Sequence, residues 1–288
     1  MIMNTYSSRE HRATVYEYNR TPMIFLILAL FVIVTVLVGG KTGAKSILGL
    51  ALTVAMLLLI FLPLLMKGWA PIPTAFLLCS LLAIVCFVIL GGCSKKIACA
   101  CIGTIAGMAL AMLFGLLSQQ LLHLDGLRAT DAEALLQLRQ TGTPVHIRGL
   151  LVAGVIISAL GAVMDVAMSI SSALSELKTV NPELTTRGLW KSGMNIGRDM
   201  VGTMTNTLIL AILGSSTVLI LYMYSLSLSW HQLMSSSYMG IEVISSVSSA
   251  VGVILAVPLT ALTCAIIYGR SQTAPIASTA SQKQPKKS

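Results

Sequence analysis

The residues best suited to chemistry form a polar stripe inside an apolar stretch, the segment GAVMDVAMSISSAL at 161–174. An acid opens the stripe, and its members follow the spacing i, i+4, i+7, i+11: Asp165, Ser169, Ser172 and Glu176. Side chains at that spacing share one face of a helix. A carboxylate among hydroxyls can bind a proton or a cation, and lipid cannot solvate it. The pattern therefore predicts that this face turns toward other helices or a wet cavity.

Two further polar stripes lie downstream. One consists of Asp199, Thr203 and Asn206, and the other of Glu242, Ser245, Ser246 and Ser249. We interpret Glu242 as an interfacial residue, because it opens its apolar stretch at the membrane face opposite Asp165. The predicted substrate or ion pathway comprises Asp165, Ser169, Ser172, Glu176, Asp199, Thr203 and Asn206.

Packing offers an alternative interpretation of these stripes. Serines and threonines in spanning helices often bond their own backbone, and small residues let helices pack closely. Asp199 beside Arg198 also suits a charge at a helix N-terminus, which the helix dipole favours. Asp165 has no such explanation, since an acid at mid-membrane costs about 2.5–3.5 kcal/mol on insertion scales.

The composition indicates an integral membrane protein. Of the 288 residues, 56% are hydrophobic and 10% charged, and the mean hydropathy is +0.87. Soluble domains carry about 25% charged residues. The 19 lysines and arginines exceed the 10 acids, but they flank apolar runs. They are therefore read as orientation signals and contacts with anionic lipid, with no nucleic-acid partner.

The apolar runs predict an all-α, polytopic transmembrane helix bundle with about seven spanning helices. A span needs about 20 mostly apolar residues. The predicted spans are 23–38, 46–66, 72–90, 97–117, 149–175, 201–224 and 242–268. They form a transmembrane domain at 22–270, between an N-terminal tail at 1–21 and a disordered basic tail at 271–288.

Two joins between spans are long. In 118–148, Thr130 and Glu133 form a capping-box pattern that predicts a short amphipathic helix on the membrane surface. The other join, at about 176–200, is too polar to span. With seven spans, the side that receives the C-terminus holds the larger share of lysines and arginines. The positive-inside rule puts that side in the cytoplasm and the N-terminus outside.

The cysteines and glycines indicate no cofactor and no metal site. Cys79, Cys86 and Cys93 recur every seven residues, which allows a soft-metal site, but no Cys-x-x-Cys is present. Cysteine behaves as a small hydrophobe in a core, which favours packing. The segment GGKTGAK lacks the spacing of a phosphate-binding loop.

At GAVMDVAMSISSAL and NIGRDMVGTMTNTLILAILG the chain resembles the YibE/F family of bacterial multi-pass membrane proteins, over about residues 30 to 270. Members of that family are described as membrane or permease-like proteins. Longer relatives begin with an extra spanning helix and an extracytoplasmic domain, so this chain is similar to the shorter YibF-like type. The resemblance implies the bacterial cytoplasmic membrane as location and a YibE-like membrane subunit as partner.

Three functions compete at this stage. The first is a permease or transporter subunit, not an enzyme, in which Asp165 binds a cation or proton. The second is a non-enzymatic scaffold or assembly subunit that pairs with a YibE-like partner or forms a homo-oligomer in the lipid bilayer. The third is an intramembrane aspartyl protease using Asp165 and Asp199, whose sequence surroundings fit that chemistry poorly.

Overall fold

The computed structural model describes residues 2–4, 14–17, 20–123, 149–226 and 229–269, and nearly all of this part is helical. Two short antiparallel strands, β1 (Ile2–Asn4) and β2 (Thr14–Glu17), precede the helices. The helices are α1 (Thr21–Met56), a π-helical segment (Leu57–Phe61), α2 (Leu62–Met66), α3 (Pro71–Gly91), α4 (Lys95–Leu121), α5 (Leu150–Val180), α6 (Thr186–Ser215), α7 (Thr217–Ser225), α8 (Trp230–Met234) and α9 (Ser237–Gly269). The predicted surface helix around Thr130 and the tail at 271–288 lie outside the described residues.

The count of seven spans is not confirmed. Five helical stretches in the described part are long and apolar enough to cross a membrane: Thr21–Met66, Pro71–Gly91, Lys95–Leu121, Leu150–Val180 and Met239–Gly269. Two of the sequence predictions account for the difference, one at the N-terminal end of the helices and one near Ser216.

The first two predicted spans belong to one helical stretch with a sharp bend at Gly40. This glycine has φ 54° and ψ −135°, a conformation that other residues rarely adopt. A methyl group at Gly43 would collide with the backbone of Thr35. In a straight helix those residues would be about 12 Å apart. The chain therefore folds back at Gly40, and α1 has two arms. The chain divides into two compact units, Met1–Ala55 and Met56–Ser288.

The predicted span at 201–224 is wrong in both of its limits. α6 begins at Thr186, where the side chain of Thr185 accepts a hydrogen bond from the backbone N–H of Gly188, and it ends at Ser215. Ser216 separates α6 from α7, so no single helix covers 201–224. The polar join predicted at 176–200 is mostly helical, because α5 continues to Val180 and α6 begins at Thr186. Its only turn is closed by Lys178, which donates to the carbonyls of Pro182 and Leu184 at 2.7 and 2.9 Å.

The second unit is a bundle in which consecutive long helices alternate in direction. Gly149 packs on Ile72 and Gly91 lies near Met168, so α3 and α5 run parallel. Gly193 of α6 lies against Leu174 of α5 and Ala261 of α9, and Gly197 lies against Ile170 and Val257. α5 and α9 therefore both run opposite to α6 and parallel to each other. α4 and α6 run the opposite way. α9 packs on α4, α5 and α6, which makes it the central helix of the bundle.

Small residues set the close crossing of α4 and α9. An added methyl group at Gly107 would lie 2.8 Å from Cβ of Ala256, and one at Gly252 would lie 2.7 Å from Cβ of Ala111. The same four-residue step continues in both directions, pairing Gly103 with Thr260 and Gly115 with Ser248. We call this series the α4–α9 ladder. Glycines and alanines at four-residue spacing let two membrane helices approach closely. Gly252 is thus a packing contact in a continuous helix, and Pro258 also lies inside α9 without ending it.

Cys99 and Cys264 continue the ladder by one step, and their thiols contact each other. Both side chains are buried and neither forms a disulfide. Of the three cysteines that recur every seven residues, Cys79 and Cys86 are buried in the core and Cys93 is exposed beyond the end of α3.

We expect mild oxidation of the protein in its membrane to join Cys99 to Cys264, because two helices this close bring the cysteine backbones within disulfide reach. Maleimide labelling after denaturation, followed by peptide mass analysis, measures which thiols are protected. Cys99→Ser and Cys264→Ser should each free the opposite thiol. Protection of any other pair instead would contradict the register of the ladder.

Candidate functional site

The predicted stripe on α5 lies on the outside of the bundle. Asp165, Ser169 and Glu176 are exposed and Ser172 is half-buried, and none of the four makes a hydrogen bond or ion pair with a described residue. Gly154, Ser158 and Gly161 extend the same face toward the start of the helix. We call these seven residues the outward face of α5. The prediction was that the stripe turns toward other helices or a wet cavity, and within the described chain it does not turn toward other helices. The helix packs through its apolar residues instead, because these fill the core.

The stripe on α6 does not meet the stripe on α5. Gly193 and Gly197 of α6 pack against Leu174 and Ile170 of α5. At 3.6 residues per turn, Ile170 and Leu174 lie about 140° and 180° around α5 from Asp165. α6 therefore lies behind α5, on the side away from the acid.

This arrangement changes the predicted pathway. Asp199, Thr203 and Asn206 are exposed on α6, and the hydroxyl of Thr203 donates to its own helix at the carbonyl of Met200, 3.1 Å away. These residues cannot supply oxygens to an ion at Asp165. The paired carboxylates that an aspartyl protease needs are not formed by Asp165 and Asp199 either.

Among the described residues of the bundle, the buried acid is Glu242, which the sequence analysis interpreted as an interfacial residue. Glu242 is only 5% exposed, near the start of α9, and the hydroxyl of Ser216 donates a hydrogen bond to its carboxylate. Ser216 is the residue between α6 and α7, so the acid holds the point where the helix breaks. The hydroxyl of Ser246 donates to the carbonyl of Glu242 at 2.8 Å. The stripe spacing of Glu242, Ser246 and Ser249 was the available signal for this site.

The polar face of α9 connects to the outward face of α5. The hydroxyls of Ser249 and Ser158 are 2.8 Å apart, and that of Ser249 also lies 3.5 Å from the carbonyl oxygen of Val155. Because α5 and α9 are parallel, polar groups continue in one direction from one helix to the other. We call this series the polar track: Glu242, Ser246 and Ser249 on α9, then Ser158, Asp165, Ser169, Ser172 and Glu176 on α5.

The polar track is long enough to cross a membrane. It covers about 10 Å along α9 and about 27 Å along α5 at 1.5 Å per residue. Together these exceed the roughly 30 Å hydrocarbon core. Hydroxyls can both donate and accept hydrogen bonds, and the carboxylates supply negative charge. The track can therefore hold a proton or a cation. No group of three or more potential metal-binding His, Cys, Asp or Glu side chains occurs among the described residues.

A bundle of long apolar helices defines an integral membrane protein. Residues 27–270 match the family described as YibE/F-like protein, and the chain belongs to that family. The match covers most of the chain and both motifs on which the resemblance was based. No curated protein and no solved structure matches the chain.

Proposed function

We propose that the protein is a non-enzymatic permease subunit that moves a proton or a cation along the polar track. The observation that carries the proposal is the contact between Ser158 and Ser249, 2.8 Å apart, which joins two polar faces into one series. Asp165 is the binding residue near the middle, while Glu242 and Glu176 lie toward the two ends. A charge at mid-membrane depth is costly and by default marks a transport or relay role.

We further propose that the protein resides in the cytoplasmic membrane of a bacterium with the C-terminal ends of α3, α5 and α9 in the cytoplasm. The bundle end that carries these termini also carries most of the described cations, namely Lys95, Lys96, Lys178, Arg187, Lys191 and Arg198. Among the described residues of the bundle, the opposite end has Lys67. The positive-inside rule supports this orientation.

Two neighbouring serines of α9 provide a test. Ser249 and Ser248 are both fully buried, but Ser249 belongs to the track while Ser248 faces Gly115 and has no hydrogen-bond partner among the described residues. In proteoliposomes that report proton and monovalent-cation flux, we expect Ser249→Leu to block flux. The leucine side chain would occupy the space between α9 and Ser158 and could not replace the hydroxyl of Ser249. Ser248→Ala should conduct like the wild type. Equal flux in Ser249→Leu and the wild type would contradict the proposal.

A scaffold or assembly subunit is the second candidate function, and the exposure of the outward face of α5 favours it. In this case the face binds a YibE-like subunit or a second copy of the chain, and the track only packs. Loss of the assembled complex with no change in flux would support this candidate over the first.

A further inference from the structure

The outward face of α5 differs in composition from the outward faces of its neighbours. α3 exposes Leu77, Leu81, Ile84 and Val88, and α9 exposes Val243, Val247, Ile254, Leu262 and Ile266. Such side chains suit contact with lipid tails. In the described part of α5, the only exposed large apolar side chain is Val180, at the very end of the helix. The outward face itself consists of two glycines, three serines and two acids.

Lipid is a poor cover for this face. Asp165 has no hydrogen bond or ion pair with any described residue, and hydrocarbon offers it none. Nothing in the described chain lies within 4 Å of a methyl group added at Gly154 or Gly161. Small residues at this spacing let the backbone of another helix approach closely. The face therefore has the shape of a helix-packing surface and carries a carboxylate that lacks a cationic partner among the described residues.

The charge determines what can cover the face. A helix that pairs with Asp165 must carry a cation near the middle of its span. α3 and α9 contain no lysine or arginine, and the lysines of α4 and α5 lie at the helix ends, at Lys95, Lys96 and Lys178. α6 carries Arg198 inside the helix, but α6 lies on the side of α5 away from Asp165 and is not among the described helices apolar enough to span a membrane. In α1, Lys41 and Lys45 adjoin the bend at Gly40, so they lie near the end of an arm and not in its middle. A second copy of the chain packed symmetrically on this face would bring carboxylate against carboxylate, which is repulsive.

We infer that the outward face of α5 binds a transmembrane helix of a different protein, and that a lysine, arginine or histidine in the middle of that helix pairs with Asp165. Glycines and serines on either side of Asp165 accept the backbone of the partner helix, and the ion pair fixes its depth. This inference deepens the second candidate function by naming the chemistry of the partner, and it does not depend on the transport proposal, because it follows from burial and charge alone. A transported cation would compete with the partner's basic residue for Asp165.

Site-specific photocrosslinking tests the inference in the native membrane. The tagged full-length chain carries a photoreactive diazirine side chain at Gly161 or Ser169 on the face, or at Leu81 on α3 as the matched control. We expect Gly161 and Ser169 to form adducts with one spanning segment of another protein, and that segment should contain a basic residue. Leu81 should form no adduct with it. Asp165→Asn should lower the adduct yield at Ser169 by about tenfold, the factor that corresponds to 1.4 kcal/mol, and Asp165→Glu should retain it.

Several results would overturn the inference. They are lipid adducts at all three positions, adducts with a second copy of the chain, a partner segment without a basic residue, and an unchanged yield in Asp165→Asn. The cross-link between Cys99 and Cys264 reports whether each variant is folded. Exchanging the charges, with Asp165→Lys and an acid in place of the partner's basic residue, should restore the adduct. Flux measured on the same membranes is separate, since adducts without flux would contradict only the transport proposal.

Discussion

Replacing Asp165 with Asn should reduce flux by about a hundredfold while the protein still inserts into the membrane. An interaction of about 3 kcal/mol between an ion and a charged group corresponds to about two orders of magnitude. Asparagine keeps the shape and the polar oxygen of the side chain but cannot become negatively charged. Membrane insertion should be no worse, since a charge at the centre of a span is itself unfavourable. Proteoliposome flux at matched protein density measures the effect.

Asp199→Asn is the matched control. Asp199 is exposed on α6, the helix that lies behind α5, so flux should match that of the wild type. If Asp199→Asn abolished flux and Asp165→Asn did not, the assignment of the polar track would be wrong.

The second large effect is on stability. Gly107→Leu should lower the free energy of unfolding by about 3 kcal/mol or more, the upper range for overpacking a tight core. Its side chain would meet Ala256, Val163 and the backbone of Gly252, and two helix backbones cannot separate without opening the rest of the ladder. Thermal unfolding in detergent, followed by the loss of the monodisperse peak, measures the change.

Gly161→Leu is the matched control for stability, and it also tests the partner surface. Nothing in the described chain lies within 4 Å of a methyl group at Gly161, so the isolated protein should unfold at the wild-type temperature. In the native membrane, the added side chain should obstruct the partner helix and lower the adduct yield at Ser169. A loss of stability in Gly161→Leu equal to that in Gly107→Leu would contradict the difference between the buried and outward faces.

Hydropathy and spacing in the sequence were sufficient for the membrane class, for α3, α4, α5 and α9, and for a polar stripe on α5. They were not sufficient to predict which polar stripes contact each other, because that depends on how each helix is rotated about its own axis. The contact between Ser158 and Ser249 joins residues 91 positions apart, and no local pattern indicates it. The break at Ser216 was missed because serine is common both inside helices and at their ends. The burial of Glu242 was missed because it depends on Ser216, 26 positions earlier in the chain.

The central place of α9 has a consequence for biosynthesis. α9 is made after α4, α5 and α6, yet it is the helix on which all three pack. Until it enters the membrane, the glycines of α4 and α6 lack their contacts with α9, and Ser158 has no Ser249 to contact. Under the proposed function, an unfinished chain has no complete ion path, because the two halves of its polar series are joined only when the last of these helices is in place.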